Sequence, residues 1–314
     1  MYSFKRIFWV FFSVVLISAI SFAQTPEQWK ALEKPLNFYL ANDLGRNGYY
    51  DQKPIAELMG NMAENVDIEC IVAAGDVHHF EGVRSIDDPL WMTNYELVYS
   101  HPELMIHWFP ILGNHEYRGN TQAVLDYTNI SARWKMPDRY YTKVLENDGV
   151  TIRLVLIDTT PLIEKYRKDT EQYPDAGKQE INKQLAWLDS VLTSSKEDWT
   201  VVVGHHPIYA ETSKKNSERD DLQNRVDAIL REHRVDMYLC GHIHNFQHIR
   251  MPGSTIDYVV NSSASLSRKV KPVKGTQFCS GKSGFSLITA DKKVLNLHMI
   301  DKEGKVLYTI TRNK

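Results

Sequence analysis

The chain has 314 residues, of which 43% are hydrophobic and 11% aromatic, enough to bury a full core in one large domain. Its 37 Lys and Arg balance 39 Asp and Glu, the net charge is −2 and the cations are scattered along the chain, which excludes the broad basic face of a nucleic-acid binder. Three cysteines are too few for a disulfide framework.

Lys5 and Arg6 precede an apolar run over residues 7–20 and then Ser21-Phe22-Ala23, the three-part layout of a secretory signal peptide. That run is shorter than the roughly 20 residues of a spanning helix. The expectation is a signal peptide over 1–23, cleavage near Gln24, a single catalytic domain over 24–314 without a membrane anchor, and a secreted or periplasmic location. Strand-like runs follow at 36–41, 68–74, 105–112, 150–157, 199–203 and 235–239, with helical segments between most of them, and this alternation predicts an α/β fold. Helices are expected at 54–66, 178–192 and 220–233; in the second, Ile181, Leu185, Leu188 and Leu192 form one apolar stripe that Trp187 broadens. Asn120 is placed to cap a further helix running toward Trp134. After His244 the pattern changes to short apolar runs at 255–260, 285–290, 294–299 and 306–311, which predicts closing hairpins. The segment 265–283, rich in Lys, Gly and Ser, reads as a long flexible loop beside the substrate. Cys70 and Cys240 read as buried strand thiols and Cys279 as a free thiol in that loop.

Four motifs each follow an apolar run: Gly75-Asp76, Gly113-Asn114-His115-Glu116, Gly204-His205-His206 and Gly241-His242-Ile243-His244. Asp43 adds a carboxylate after the first strand. In an open α/β protein, loops after parallel strands converge on one crevice. Carboxylates, an amide oxygen and imidazoles brought there suit two neighbouring cations, with a carboxylate able to offer each cation one oxygen, and Asp76 is the expected bridge. Any one of these motifs has an ordinary turn explanation, whereas all of them in series point to a two-metal phosphoester hydrolase. No serine or cysteine stands in an activated arrangement beside them, so direct attack by a metal-bound hydroxide is expected rather than a phosphoenzyme. Asp158-Thr159-Thr160 either faces the site or caps a turn.

With these motifs the chain resembles the calcineurin-like metallophosphoesterases, and within them the tartrate-resistant, purple type of acid phosphatase. Asn42-Asp43-Leu44-Gly45, Gly75-Asp76-Val77-His78-His79, Gly113-Asn114-His115-Glu116, Gly204-His205-His206-Pro207 and Cys240-Gly241-His242-Ile243-His244-Asn245 are similar to that family's Gly-Asp-Trp-Gly, Gly-Asp-Asn-Phe-Tyr, Gly-Asn-His-Asp, Gly-His-Tyr-Pro and Cys-Gly-His-Asp-His-Asn. The resemblance implies a four-layer β-sandwich flanked by helices, with two metal ions at one edge and a small phosphorylated substrate. Asp43, Asp76 and His244 would bind the first metal, and Asp76, Asn114, His205 and His242 the second. His115 would serve the leaving group, with His206 either helping it or making a supporting hydrogen bond. His79 stands where the purple enzymes carry the tyrosine whose phenolate binds ferric iron. It is the expected replacement ligand, and His78, the competitor, reads as an outward loop histidine. Imidazole in that place favours Zn, Fe(II) or Mn(II) and a colourless protein over the ferric-tyrosinate type. A phosphomonoesterase is the leading function. A phosphodiesterase or nucleotidase on the same centre, and a catalytically silent metal- or phosphate-binding protein, are the alternatives.

Overall fold

The computed structural model describes residues 24–214 and 216–314, so the expected signal peptide lies outside the described residues. Thirteen strands run in chain order: β1 Leu36–Ala41, β2 Cys70–Ala73, β3 His107–Pro110, β4 Tyr141–Asn147, β5 Val150–Leu156, β6 Trp199–Val203, β7 Met237–Cys240, β8 Phe246–Ile249, β9 Asp257–Val260, β10 Thr276–Ser280, β11 Gly284–Ala290, β12 Val294–Asp301 and β13 Val306–Asn313. They form two sheets, a six-stranded one in the order β13-β12-β11-β1-β2-β3 and a seven-stranded one in the order β10-β8-β9-β7-β6-β5-β4. The two sheets, with helices around them, give the mixed α/β fold that the alternation predicts, in the sandwich that the resemblance implies.

Burial explains why the centre of each sheet is parallel. In β1, β2, β6 and β7 nearly every residue is buried, as the uninterrupted apolar runs require when both faces of a strand are covered. β1, β2 and β3 pair parallel in one sheet, with Ala41 opposite Ala73 and Ala73 opposite Pro110. β5, β6, β7 and β9 do so in the other, with Val203 opposite Leu239. The apolar runs after His244 become the antiparallel β11, β12 and β13, which extend the first sheet beyond β1. The helix Ile181–Ser194 buries Gln184, Leu188 and Leu192, four residues apart on one face. Gln184 is a polar member of that stripe because its side chain brackets Asp158, accepting from its N–H at 2.7 Å and donating to its carbonyl at 3.0 Å.

Three expectations need correction. The helix capped by Asn120 ends at Asp126, followed by one tight turn over Tyr127–Asn129, because Trp134 is drawn back to β3, where it bridges Trp108 and packs edge-on against Trp91 at 5.2 Å. The expected helix 220–233 starts earlier and is broken into Ser217–Leu222, a wide turn over Gln223–Asp227 and Ala228–Glu232. The segment 265–283 is not one long loop: it contains β10, which pairs with β8 and carries Cys279. All three cysteines are free, with Cys70 and Cys240 buried. Among the described residues no helix is long and apolar enough to cross a membrane.

Candidate metal centre

Asp43 follows β1, Asp76 follows β2, Asn114 follows β3, His205 follows β6, and His242 and His244 follow β7. These strands are parallel within their sheets, so their carboxyl ends deliver the loops to one crevice. The loops are laced together by backbone bonds, Asp43 N–H to Gly75 O and Leu44 N–H to Asp76 O, both at 3.0 Å. The two sheets are joined where the His242 N–H donates to Asp43 Oδ2 at 2.8 Å. Glycine is required at this junction, since a Cβ on Gly113 would stand 2.2 Å from Asp76 Oδ1 and one on Gly241 would stand 2.7 Å from Asp43 Oδ2.

The residues the sequence singled out are gathered and dry: Asp43, Asp76, His79, Asn114, His205, His242 and His244 are each at most 4% exposed. Potential ligand atoms lie within 4.8 Å of one another in four overlapping groups: Asp43 with His79 and His244, Asp76 with His79 and His115, Asp43 with Asp76 and His205, and His205 with His206 and His242. Four residues of this set, Asp43, Asp76, His242 and His244, hold left-handed φ between 52° and 70°, half of the eight non-glycine residues that do so among the described residues. Such conformations cost free energy and persist where the surrounding structure enforces them, commonly at functional sites.

Orphaned atoms test whether cations fit. Asp43 Oδ1, both ring nitrogens of His79, Asn114 Oδ1 and His205 Nε2 are buried without any hydrogen-bond partner. Leaving one such atom unpaired costs about 1–3 kcal/mol. His244 Nε2 is 3.0 Å from Asp43 Oδ1, and His205 Nε2 is 3.1 Å from Asp76 Oδ2, yet neither approach has hydrogen-bond geometry. Lone pairs turned to common points in this way suit cations, and carboxylate, amide and imidazole donors suit Zn, Fe or Mn.

Outer contacts fix which nitrogen each ring presents. His205 Nδ1 faces Ala74 O at 2.8 Å and His244 Nδ1 faces Leu266 O at 2.6 Å, so each carries its proton there and turns Nε2 inward. His242 engages Glu218 Oε2 at 3.1 Å and Lys214 Nζ at 2.6 Å through Nε2, and its Nδ1 has no partner nearer than 3.5 Å. Asp76 Oδ1 accepts the His115 N–H at 2.9 Å, which leaves Oδ2 to face His205, His79 and His115 at 3.1, 3.5 and 3.8 Å. Burial lowers the His205 pKa, but Asp76 beside it outweighs this and lifts it to about 9, a sign of the negative field that a cation would meet.

Glu116 holds the two central loops in register. Its Oε2 accepts the N–H groups of Gly113 and Asp76 at 2.7 and 2.9 Å, and its Oε1 accepts that of His78 at 3.0 Å. Burial and then Asp76 push this carboxyl up to about 7. His115 is turned by its Nδ1 contact to Phe80 O at 2.6 Å, and it keeps a side chain 15% exposed at the mouth of the crevice. His206 is deeper, with Nδ1 2.8 Å from Thr159 Oγ1 and Nε2 3.1 Å from the Tyr166 hydroxyl, so both of its nitrogens are engaged by hydroxyls. His78 is not outward as expected: it is fully buried, its ring 4.4 Å from that of Trp91 and its Nδ1 3.4 Å from the Asn94 amide nitrogen, because Trp91 and Asn94 form a wall behind the loop.

Thr159 also accepts the N–H groups of both His205 and His206, so the Asp158-Thr159-Thr160 segment faces the site from behind. Glu218, Tyr166 and Lys214 escaped the sequence reading. Glu218 contacts His242, Tyr166 and Lys165, and the last pairing is a close ion pair. It comes from the charged helix Ser217–Leu222, whose sequence carries no ligand-like spacing. Ser263 and Ser265 donate to Asp43 O at 2.9 and 2.6 Å, again without any motif to announce them.

The family described as calcineurin-like phosphoesterase matches residues 36–246. Purple acid phosphatase 4 of Arabidopsis thaliana is 29% identical, over 87% of this chain and 82% of its own length. Tartrate-resistant acid phosphatase type 5 of Sus scrofa is 27% identical, over 81% of this chain and 78% of its own. Among solved structures, GAP50, the anchor in the inner membrane complex of Plasmodium, shares the fold with a TM-score of 0.74 and 23% identity, over 88% of each chain.

Proposed function

The chain belongs to the calcineurin-like phosphoesterase family as a metal-dependent phosphoester hydrolase of acid-phosphatase kinship, and from that premise we propose that it is an exported phosphomonoesterase with a dinuclear centre. In this reading a single catalytic domain spans residues 24–314. Asp43, Asp76, His79 and His244 would hold one cation, and Asp76, Asn114, His205 and His242 the other. When bound, the two cations would supply Lewis acidity toward a phosphoryl oxygen and a water nucleophilic at neutral pH. The observation that carries the assignment is the set of buried, partnerless ligand atoms on Asp43, His79, Asn114 and His205, drawn from four separate loops.

The remaining chemistry belongs to side chains around the centre. His115 presents Nε2 at the crevice mouth, where it donates a proton or hydrogen bond to the leaving oxygen, a contribution of about a hundredfold. His206, pinned by Thr159 and Tyr166, orients the ring of its neighbour His205 and excludes water from that side. Glu218 fixes the tautomer of His242 in the way carboxylates orient metal-ligating histidines. With imidazole instead of phenolate at position 79, the site suits Zn, Mn or ferrous iron.

Elemental analysis of the purified protein, paired with phosphate release from matched mono- and diesters, tests the reading. About two metal ions per chain and a preference for the monoester are expected. A diester preference would reassign the substrate class on the same centre, and no turnover in any metal form would leave a silent binding protein.

A further inference from the structure

Beside the metal centre lies a second cavity of about 270 Å³, walled by Lys214, Arg268, Lys269 and Lys271, with Glu211 as its one carboxylate. Ile243 and Asn245, which flank the ligand candidate His244, form part of its wall, and the Arg268 N–H donates to His244 O at 2.7 Å. Lys214 reaches from the same wall to His242. None of these four cations forms an ion pair among the described residues. Some basic side chains elsewhere are matched, as Lys282 is with Asp301 at 2.5 Å, Lys302 with Asp51 at 2.9 Å and Arg312 with Asp257 at 2.9 Å, but these four share one cavity with a single carboxylate. Four unmatched cations around one small cavity repel one another, and a multiply charged anion removes that repulsion. The rest of the chain is near neutral, so the concentration of charge here is local.

We propose that this cavity is a subsite for a second phosphate, so that the protein favours small esters carrying two phosphate groups over those carrying one. The proposal rests on the phosphoesterase reading and deepens it. One phosphate is cleaved at the metal centre, while the other is held by Arg268, Lys269 and Lys271 on the strap after Leu266 and by Lys214. Arg268 supplies a planar fork that matches a phosphate edge, and the lysines supply point charges. The strap between Ser265 and β10 thus has a specific role in substrate choice.

The test compares fructose 1,6-bisphosphate with fructose 6-phosphate, using the metal-loaded protein at fixed ionic strength. The ratio of their kcat/KM values should be tenfold or more in favour of the bisphosphate, about 1.4 kcal/mol. It should fall at least fivefold in the Lys269→Ala/Lys271→Ala double variant and in Arg268→Ala, whose side chains are exposed. It should also shrink as salt is raised. A wild-type ratio near one, or a ratio that these substitutions do not move, overturns the proposal. If neither ester is hydrolysed, the phosphoesterase reading fails on its own, and titration calorimetry with the same two sugars then decides the subsite. Tighter binding of the bisphosphate that is lost in the variants supports it, and equal binding of the two esters overturns it.

Discussion

Replacing Glu116 with Gln isolates the part that the scaffold plays in the metal centre. The carboxylate is 1% exposed and accepts three backbone N–H groups, from Gly113, Asp76 and His78, at 2.7, 2.9 and 3.0 Å. Glutamine has nearly the same shape but only one acceptor oxygen. If that oxygen keeps the Gly113 and Asp76 bonds, the NH2 group confronts the His78 N–H, donor against donor. One bond to a charged acceptor is worth about 1.5–3 kcal/mol, and the two retained bonds lose their charge assistance, so the loss totals about 3 kcal/mol. For a domain of this size that lowers Tm by about 5 °C. The effect should be read at pH 8, above the value of about 7 to which burial and Asp76 push the carboxyl, so that the wild-type group is ionised. Because the Asp76 and Gly113 peptides carry the ligand loops, affinity for Zn or Mn should fall about 10–100-fold as well. Thermal unfolding of the metal-stripped and metal-loaded forms, together with a metal titration, measures both effects. A variant that melts within about 1 °C of the wild type and binds metal equally well would refute the claim that Glu116 sets these loops.

Three further expectations concern single side chains. His115→Ala should lower kcat about a hundredfold while metal content by elemental analysis stays at the wild-type level; loss of metal together with activity would move His115 from the leaving group to the ligand set. The iron-loaded wild type should lack an intense visible phenolate band, and His79→Tyr should gain one, because residue 79 lies within ligand distance of Asp43 and Asp76; a colourless iron-loaded variant would place residue 79 outside the coordination sphere. Burial pushes the Asp158 carboxyl up to about 7, so the folded protein holds a proton that the unfolded chain releases near pH 4. The contribution of this group to wild-type stability therefore falls as pH rises from about 4 to 7, by up to about 1.4 kcal/mol per unit. Asp158→Asn should flatten that slope, and superimposable Tm-against-pH curves for the two proteins would contradict the assignment.

The candidate ligand set was legible because every member carries its own local signal. Each stands at the carboxyl end of a strand whose apolar run needs burial on both faces, and most follow a glycine that lets backbones approach closely, as Gly113 and Gly241 do. Parallel strands then bring those ends together, so the order of motifs along the chain already encodes a shared crevice. His79 was readable through its substitution for tyrosine, whereas the inward turn of His78 was not, since it depends on a wall built by Trp91 and Asn94.

Supporting contacts left no trace of that kind. Glu218 sits in a charged helix like many others, and Thr159 is 46 residues from the His205 amide that it accepts. Lys214 and the Arg268 to Lys271 strap are brought to one cavity by loops of different origin. Local sequence determines which backbone positions can turn, extend or bury, because those preferences act over a few residues. Which distant carboxylate orients a given imidazole, which oxygen of Asp76 stays free, and where unmatched cations crowd together were decided only when the two sheets packed, because hydrogen bonds and charge act across space without regard to chain separation.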